Sequence, residues 1–213
     1  MKFIVAALLA TFLLICYIWI DPFVAYSIKT LPYNIHYMLI ICNMIGNPFA
    51  QLILFLSLLC ISFIFKKLNK WSFVLFQFTL VIIFSMFICG LGKIIFSRAR
   101  PNLLLDNKIY GFFWSIFSYN FRSFPSSHAA VAFGIFYVIK KHKTIPSIIL
   151  WMFASFLAIT RIMLCKHYVS DVIVGSIIGM FTAYTVVILT TKYKKDMKLQ
   201  KLLKALLQLV NLG

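Results

Sequence analysis

Six long apolar runs separated by short polar stretches organise this chain: residues 3–20, 48–65, 72–92, 126–139, 145–161 and 171–191. Several approach or exceed the ~18 residues that an α-helix needs to cross a bilayer. The pattern therefore predicts an all-α, polytopic membrane bundle of six transmembrane helices. Run 126–139 reaches only about 21 Å as a helix, short of a ~30 Å hydrocarbon core, so either the bilayer thins there or, as favoured here, its outer end sits below the headgroup plane. Run 3–20 follows a single Lys2 and ends without a small-x-small cleavage site, which reads as a retained first span. The apolar stretch Ile35 to Ile45 is too short to cross and is flanked by Pro32, Asn43, Gly46 and Pro48. An outer interfacial helix is expected there.

The cations fix an orientation. Lys66, Lys67 and Lys70 follow the second run, Lys140, Lys141 and Lys143 the fourth, and Lys192, Lys194, Lys195 and Lys198 the sixth. Every second loop and both ends are basic, so both termini are expected in the cytoplasm. Residues 192–213 form a basic tail in which Leu199, Leu202, Leu203, Leu206 and Leu209 share one helical stripe. That stripe predicts an amphipathic helix against anionic lipid of the cytoplasmic leaflet.

Composition adds exclusions. The 213 residues are 63% hydrophobic, with a mean hydropathy of +0.99, which excludes an ordinary soluble domain. No repeat or linker divides the chain, so 1–213 reads as a single membrane-embedded domain. The net charge of +17 comes from 21 Lys and Arg against four acids, Asp21, Asp106, Asp171 and Asp196. These cations lie between apolar runs, where lipid headgroups and not nucleic acid are the natural counter-charge. The five cysteines form no metal-ligand spacing.

Three patches carry most of the usable polar chemistry: Lys93-x6-Arg100-Pro101, Pro125-Ser126-Ser127-His128 and Arg161-x5-His167-x3-Asp171. Given the orientation above, all three fall at the outer side. Lys93, Arg100 and Arg161 supply cations to grip phosphoryl oxygens, Arg by bidentate forks and Lys as a point charge. Ser126 and Ser127 open a helix whose backbone N–H groups attract anions. The four-residue spacing lets Asp171 accept from one ring nitrogen of His167, leaving the other to attack phosphorus. His128 then remains to protonate the departing oxygen. Further outer-side cations, Arg98, Arg122 and Lys166, run against the charge bias, and a phosphate-binding face would explain them. Loop 102–124 carries Tyr110, Phe112, Phe113, Trp114, Phe117, Tyr119, Phe121 and Phe124. It is either an interfacial anchor or a lid and side wall for lipid chains. His36 and His142 fit no motif and read as hydrogen-bonded interfacial residues.

Order and spacing resemble the type 2 phosphatidic acid phosphatase superfamily, whose pattern reads K-x6-RP, PSGH and SR-x5-H-x3-D. The resemblance covers positions 93 to 171, with Thr160 in place of the usual Ser and Ser127 in place of the usual Gly. It implies a phosphohistidine at His167 supported by Asp171, His128 as acid, and phosphate held by Lys93, Arg100, Arg161 and Ser126. It implies no metal and no other cofactor. The expected activity is hydrolysis of a membrane lipid phosphate at the periplasmic face of a bacterial inner membrane. Lipid A phosphate or undecaprenyl diphosphate is favoured, with phosphatidylglycerol phosphate and phosphatidic acid also open. Two rivals use the same residues: a lipid phosphotransferase, and a non-enzymatic anion-binding transporter. The transporter leaves His128, His167 and Asp171 unexplained.

Overall fold

A computed structural model describes all residues except 1, 30–31, 66–69, 115–117, 143–145 and 196–213. The described residues are helical throughout, apart from connecting loops and one isolated antiparallel bridge between Arg98 and Phe112. Helix α1 (Lys2–Ile15) continues through a π-helical turn (Cys16–Ile20) into α2 (Asp21–Ile28). Then come α3 (Tyr33–Ile45), α4 (Pro48–Ile64), α5 (Lys70–Phe96), the short α6 (Pro101–Asn107), α7 (Ser127–His142), α8 (Ser147–Met163) and α9 (Val169–Lys195).

Among the described residues, four helical segments are long and apolar enough to cross a membrane: Phe3–Ile28, Tyr37–Ile64, Trp71–Phe96 and Val169–Tyr193; Ser147–Met163 is apolar but shorter. The first of these runs on to Ile28, past the expected end at residue 20. Asp21-Pro22 reads in sequence as a stop, yet Asp21 is neutralised by a buried partner and Pro22 stands in the first turn of α2. A proline's missing N–H is tolerated at such a position. The expected helix at 35–45 forms as α3 and packs on α8. Asn47 separates it from α4, with extended backbone and a side chain that accepts from the Phe49 amide. The amphipathic tail expected from Lys194 onward falls outside the described residues from 196.

The core sits around α7, which packs on α5, α8 and most closely on α9. On one side, Ala129, Ala132, Phe133 and Phe136 meet Leu150, Ala154, Leu157 and Ala158 of α8. On the other, Val138 packs with Val74, Phe78 and Val81 of α5 and with Ala183, Val186 and Val187 of α9. The outer faces stay apolar and exposed, as with Phe3 and Phe181, which suits a lipid solvent.

Helix α9 approaches α7 through two glycines four residues apart. A Cβ on Gly179 would stand 1.8 Å from the Ala130 carbonyl oxygen, and one on Gly175 would stand 2.3 Å from that of Ser126. Small residues at such spacing let backbones touch when no hydrophobic effect drives helices together. Farther along, Gln77 donates to Thr190 at 2.8 Å and meets His142 Nε2 at 2.8 Å. That clasp joins the start of α5 to the ends of α7 and α9. The opposite end of the bundle gathers the end of α5, the start of α7, the end of α8 and the start of α9. All three motifs lie there.

The glycine contact yields a first expectation. Gly179→Ala should lower stability by about 1–3 kcal/mol through overpacking. Gly90→Ala, with no atom within 4 Å of the added Cβ, should cause no loss. Thermal unfolding of the two purified variants in detergent compares them directly.

Candidate active site

The first motif ends α5. Lys93 points its Nζ at the carbonyl oxygen of Pro125, tying α5 to the turn before α7. The chain leaves the helix at Ser97, with φ of 40°. The strand-like segment after it is stitched to the aromatic loop: the Ala99 amide donates to Gly111, Phe113 to Ser97, and Arg100 to Asn120. Gly111 has φ of +123°, which a side chain would strain. Phe112 and Phe124 pack edge-on against Phe96, so this loop is a folded cover on the end of the bundle. Trp114 and Tyr119 form its exposed rim. Phe117 falls outside the described residues.

Ser126 closes the second motif onto the third. Its amide donates to the Asp171 carbonyl at 3.1 Å, and its hydroxyl oxygen accepts from the Ala129 amide at 3.4 Å as an N-cap. Its O–H remains a donor. Ser127 opens α7 with its side chain beside the Cys89 thiol. Its hydroxyl is thus engaged with α5, which leaves its backbone N–H at the helix start as its contribution to the site. His128 lies close enough to Arg161, His167, Lys93 and Arg100 to feel each of their charges.

The third motif is built on a tight turn. The Arg161 carbonyl accepts from the amides of both Lys166 and His167, at 3.1 and 3.2 Å, while Cys165 takes a left-handed φ of 51°. Thr160 bonds the Leu157 carbonyl at 2.7 Å, so its hydroxyl serves its own helix. The Arg161 guanidinium donates to the side-chain oxygen of Asn43 on α3. Asp171, in the first turn of α9, accepts from the Tyr168 amide at 2.8 Å and from the Ser123 hydroxyl at 2.5 Å.

The contact made by His167 differs from the expected one. Its Nδ1 lies 2.6 Å from the Ser123 carbonyl oxygen and 3.7 Å from the Asp171 carboxylate. A carbonyl oxygen can only accept, so Nδ1 carries the proton and Nε2 the free lone pair. Asp171 acts at one remove, through Ser123, and by its charge. Burial pushes the His167 pKa down to about 3, with nearby Lys93 adding to the effect and Asp171 opposing it. The imidazole is therefore neutral at physiological pH.

Arg98 also departs from expectation. It is fully enclosed and faces no phosphate site. Its Nη2 bonds Asp21 at 2.8 Å and its Nη1 bonds Asp171 at 2.5 Å. Burial opposes its charge, but Asp171 and Asp21 outweigh burial and hold it above its usual range. Arg122 contributes its carbonyl oxygen to Arg100 at 3.4 Å. Sequence reading passed over Asp21, Asn43 and Ser123. A carboxylate and an amide inside apolar stretches are costly, and that cost was the available signal for the first two. Nothing marked Ser123.

Lys93, Arg100, Arg161, His128 and His167 thus converge from four separate segments, with Arg100, Arg161 and His167 buried. The Tyr119 ring stacks on Arg100, 3.9 Å from its guanidinium carbon, and the Tyr119 hydroxyl lies 3.1 Å from Nη1. Among the described residues the Nε donors of Arg100 and Arg161, like that of Arg98, are buried without a protein partner. Such donors are costly to leave unmet. An oxyanion satisfies those of Arg100 and Arg161.

Comparison with known proteins bears on family and fold. The family model described as the PAP2 superfamily matches residues 74–195. LpxE of Aquifex aeolicus superposes with a TM-score of 0.59 at 23% identity, over 79% of this chain and 94% of that one. The first transmembrane PAP2 type phosphatidylglycerolphosphate phosphatase from Bacillus subtilis gives a TM-score of 0.57 at 19% identity, over 90% and 97%. No curated protein sequence matches the chain. A family match over more than half the chain, on a fold shared with these two solved structures, makes this protein a member of the PAP2 superfamily.

Proposed function

We propose that this enzyme hydrolyses a phosphomonoester or diphosphate of a membrane lipid without a metal, through a phosphohistidine at His167. The observation that carries the reading is the pair of buried, unpartnered guanidinium Nε donors on Arg100 and Arg161 beside a neutral imidazole. Three cations, Lys93, Arg100 and Arg161, balance a phosphate dianion and the charge that spreads over its oxygens in the transition state. The Ser126 hydroxyl and the first amides of α7 add donors to the same oxygens.

The His167 Nε2 lone pair forms a bond to phosphorus as the phosphorus–oxygen ester bond breaks. The bonding electrons leave with the lipid oxygen, and His128, able to carry its proton once the phosphate dianion offsets the surrounding cations, gives that oxygen its proton. Water then attacks phosphorus and returns a proton to His128. Nε2 recovers its lone pair, and inorganic phosphate departs. While the ring carries phosphorus it is cationic, with its Nδ1 proton held by Ser123 and the Asp171 carboxylate nearby.

Six helical segments cross the bilayer in this reading: α1 with α2, α4, α5, α7, α8 and α9. The basic loops lie in the cytoplasm and the site at the periplasmic face of a bacterial inner membrane. Lipid A phosphate or undecaprenyl diphosphate fits a site at that leaflet, and the rim of Trp114 and Tyr119 faces the attached chains. The name of the Bacillus protein supports phosphatidylglycerol phosphate, already open from the sequence, as a further substrate to try.

Purified protein should release inorganic phosphate from at least one member of a panel of these lipids and phosphatidic acid, with no transfer to another lipid. His167→Ala should reduce that release by about 10³-fold or more. It should also abolish a ³²P label that survives alkali and is lost in acid. Full activity in that variant would exclude the covalent route.

Neutrality of His167 down to about pH 3 predicts that the label still forms at pH 5. The sign follows from burial: the folded protein binds this proton less readily than the unfolded chain. Stability therefore rises with pH between about 3 and the ordinary histidine value of ~6.5.

Asn43→Ala should raise KM about tenfold, the equivalent of ~1.5 kcal/mol for a lost hydrogen bond to a charged group. Because Asn43 holds the cation and touches no reacting atom, kcat should change little. Steady-state kinetics on the best panel substrate separates the two constants.

A further inference from the structure

We propose that Asp21, on the first membrane helix, is a positioning residue that acts on His167 through Arg98 and Asp171. The inference deepens the phosphohistidine reading and rests on it. Asp21 is 1% exposed, and its carboxylate meets three groups. Oδ2 accepts from Arg98 at 2.8 Å and from the Ser170 hydroxyl at 2.5 Å, and Oδ1 accepts from the Ser170 amide at 3.0 Å. Ser170 lies in the first turn of α9, next to Asp171. One carboxylate thus grips both the helix that carries Asp171 and the guanidinium that Asp171 binds.

The local backbone is shaped for this contact. Helix α1 is exposed along most of its length, yet the π-helical turn at Cys16–Ile20 precedes a fully inward Asp21. Such turns insert a residue and rotate the helix beyond them. In a π turn the Tyr17 carbonyl would pair with the amide five residues on, and residue 22 is a proline without one. The Tyr110 hydroxyl donates to that carbonyl at 2.5 Å and accepts from Arg98 Nη2 at 3.0 Å. The freed carbonyl is satisfied by a residue that also braces Arg98.

Charge gives the arrangement its consequence. Arg98 with Asp171 alone would form a neutral pair, and the guanidinium would cancel much of the carboxylate's field at the imidazole. Adding Asp21 makes one cation against two anions, leaving one negative charge beside His167. That charge favours the ring when it becomes cationic on bonding phosphorus. With water excluded, it is screened little. Tyr17, Tyr110, Phe112 and Tyr168 rings surround Arg98, keeping water from it.

The test uses the full chain in detergent micelles and the panel lipid that wild type hydrolyses fastest. Asp21→Asn keeps the shape and removes the charge. It should lower kcat about tenfold or more while KM stays within about threefold. Asp21→Asn combined with Arg98→Gln restores one net negative charge, and kcat should rise about fivefold or more above the single variant. A purely structural role predicts the reverse, since the second substitution removes further bonds. Wild-type kcat in Asp21→Asn, or a double variant no better than it, overturns the proposal. If Asp21→Asn yields no folded protein by thermal melt, Asp21→Glu carries the test. It must keep kcat within about threefold of wild type, and a deeper fall overturns the proposal. Absent wild-type turnover, or an undiminished His167→Ala, would instead indict the phosphohistidine reading itself.

Discussion

Arg98 between Asp21 and Asp171 is the interaction on which the catalytic end of this bundle depends. Two of the chain's four acids are committed to this one arginine. Breaking a buried ion pair by removing one partner costs about 3–5 kcal/mol, because the other charge is left without compensation. The cost enforces geometry: α2, the segment after α5 and the start of α9 can meet in only one register. It also settles the charge count at the site. With Arg98 sequestered by its two carboxylates, Lys93, Arg100 and Arg161 are the motif cations left to the proposed phosphate site.

Close helix contact carries the same order into the second motif. Gly175 lets α9 reach the backbone of Ser126, and there the Ser126 amide meets the Asp171 carbonyl. A residue with a Cβ would push the start of α7 away from the start of α9. His128 would then separate from His167, and the proposed acid from the proposed nucleophile. Packing at one glycine is therefore part of the chemistry. Gly179 continues the contact one turn later, against Ala130. Backbone closeness here substitutes for a hydrophobic drive that lipid does not supply.

The motifs were legible because their spacing survives without any knowledge of the fold. Lys93, Arg100, His128, Arg161 and His167 come together at one end, as their placement relative to the apolar runs implied. Apolar periodicity also located α4, α5, α7, α8 and α9 closely. It failed at Asp21-Pro22, where local propensity indicates a break and a partner 77 positions away overrides it. It failed for Arg98, because a cation on the motif side looks like a phosphate ligand until its two carboxylates are in view. The partners of Asn43 and Ser123 were hidden for a related reason. Each acts through a residue far along the chain, and one sequence contains no trace of that pairing. Ser123 lies within the aromatic loop, where the rings drew attention to lipid contact instead of to the imidazole.

That loop joins recognition to catalysis. Its rim carries Trp114 and Tyr119, and Tyr119 stacks on Arg100. Its next residues hold the site together: the Asn120 carbonyl accepts from the Arg100 amide, and Ser123 bonds both His167 and Asp171. Only a few residues separate the exposed Tyr119 from the Ser123 carbonyl that fixes the His167 tautomer. Any shift of residues 119–123 would loosen Arg100 and release Nδ1 together. Freed from Ser123, the imidazole has no fixed acceptor for its Nδ1 proton, and the Nε2 lone pair is no longer assured. The loop is thus a wall of the candidate site as well as its cover, and whatever holds residues 119–123 in place also holds the His167 tautomer.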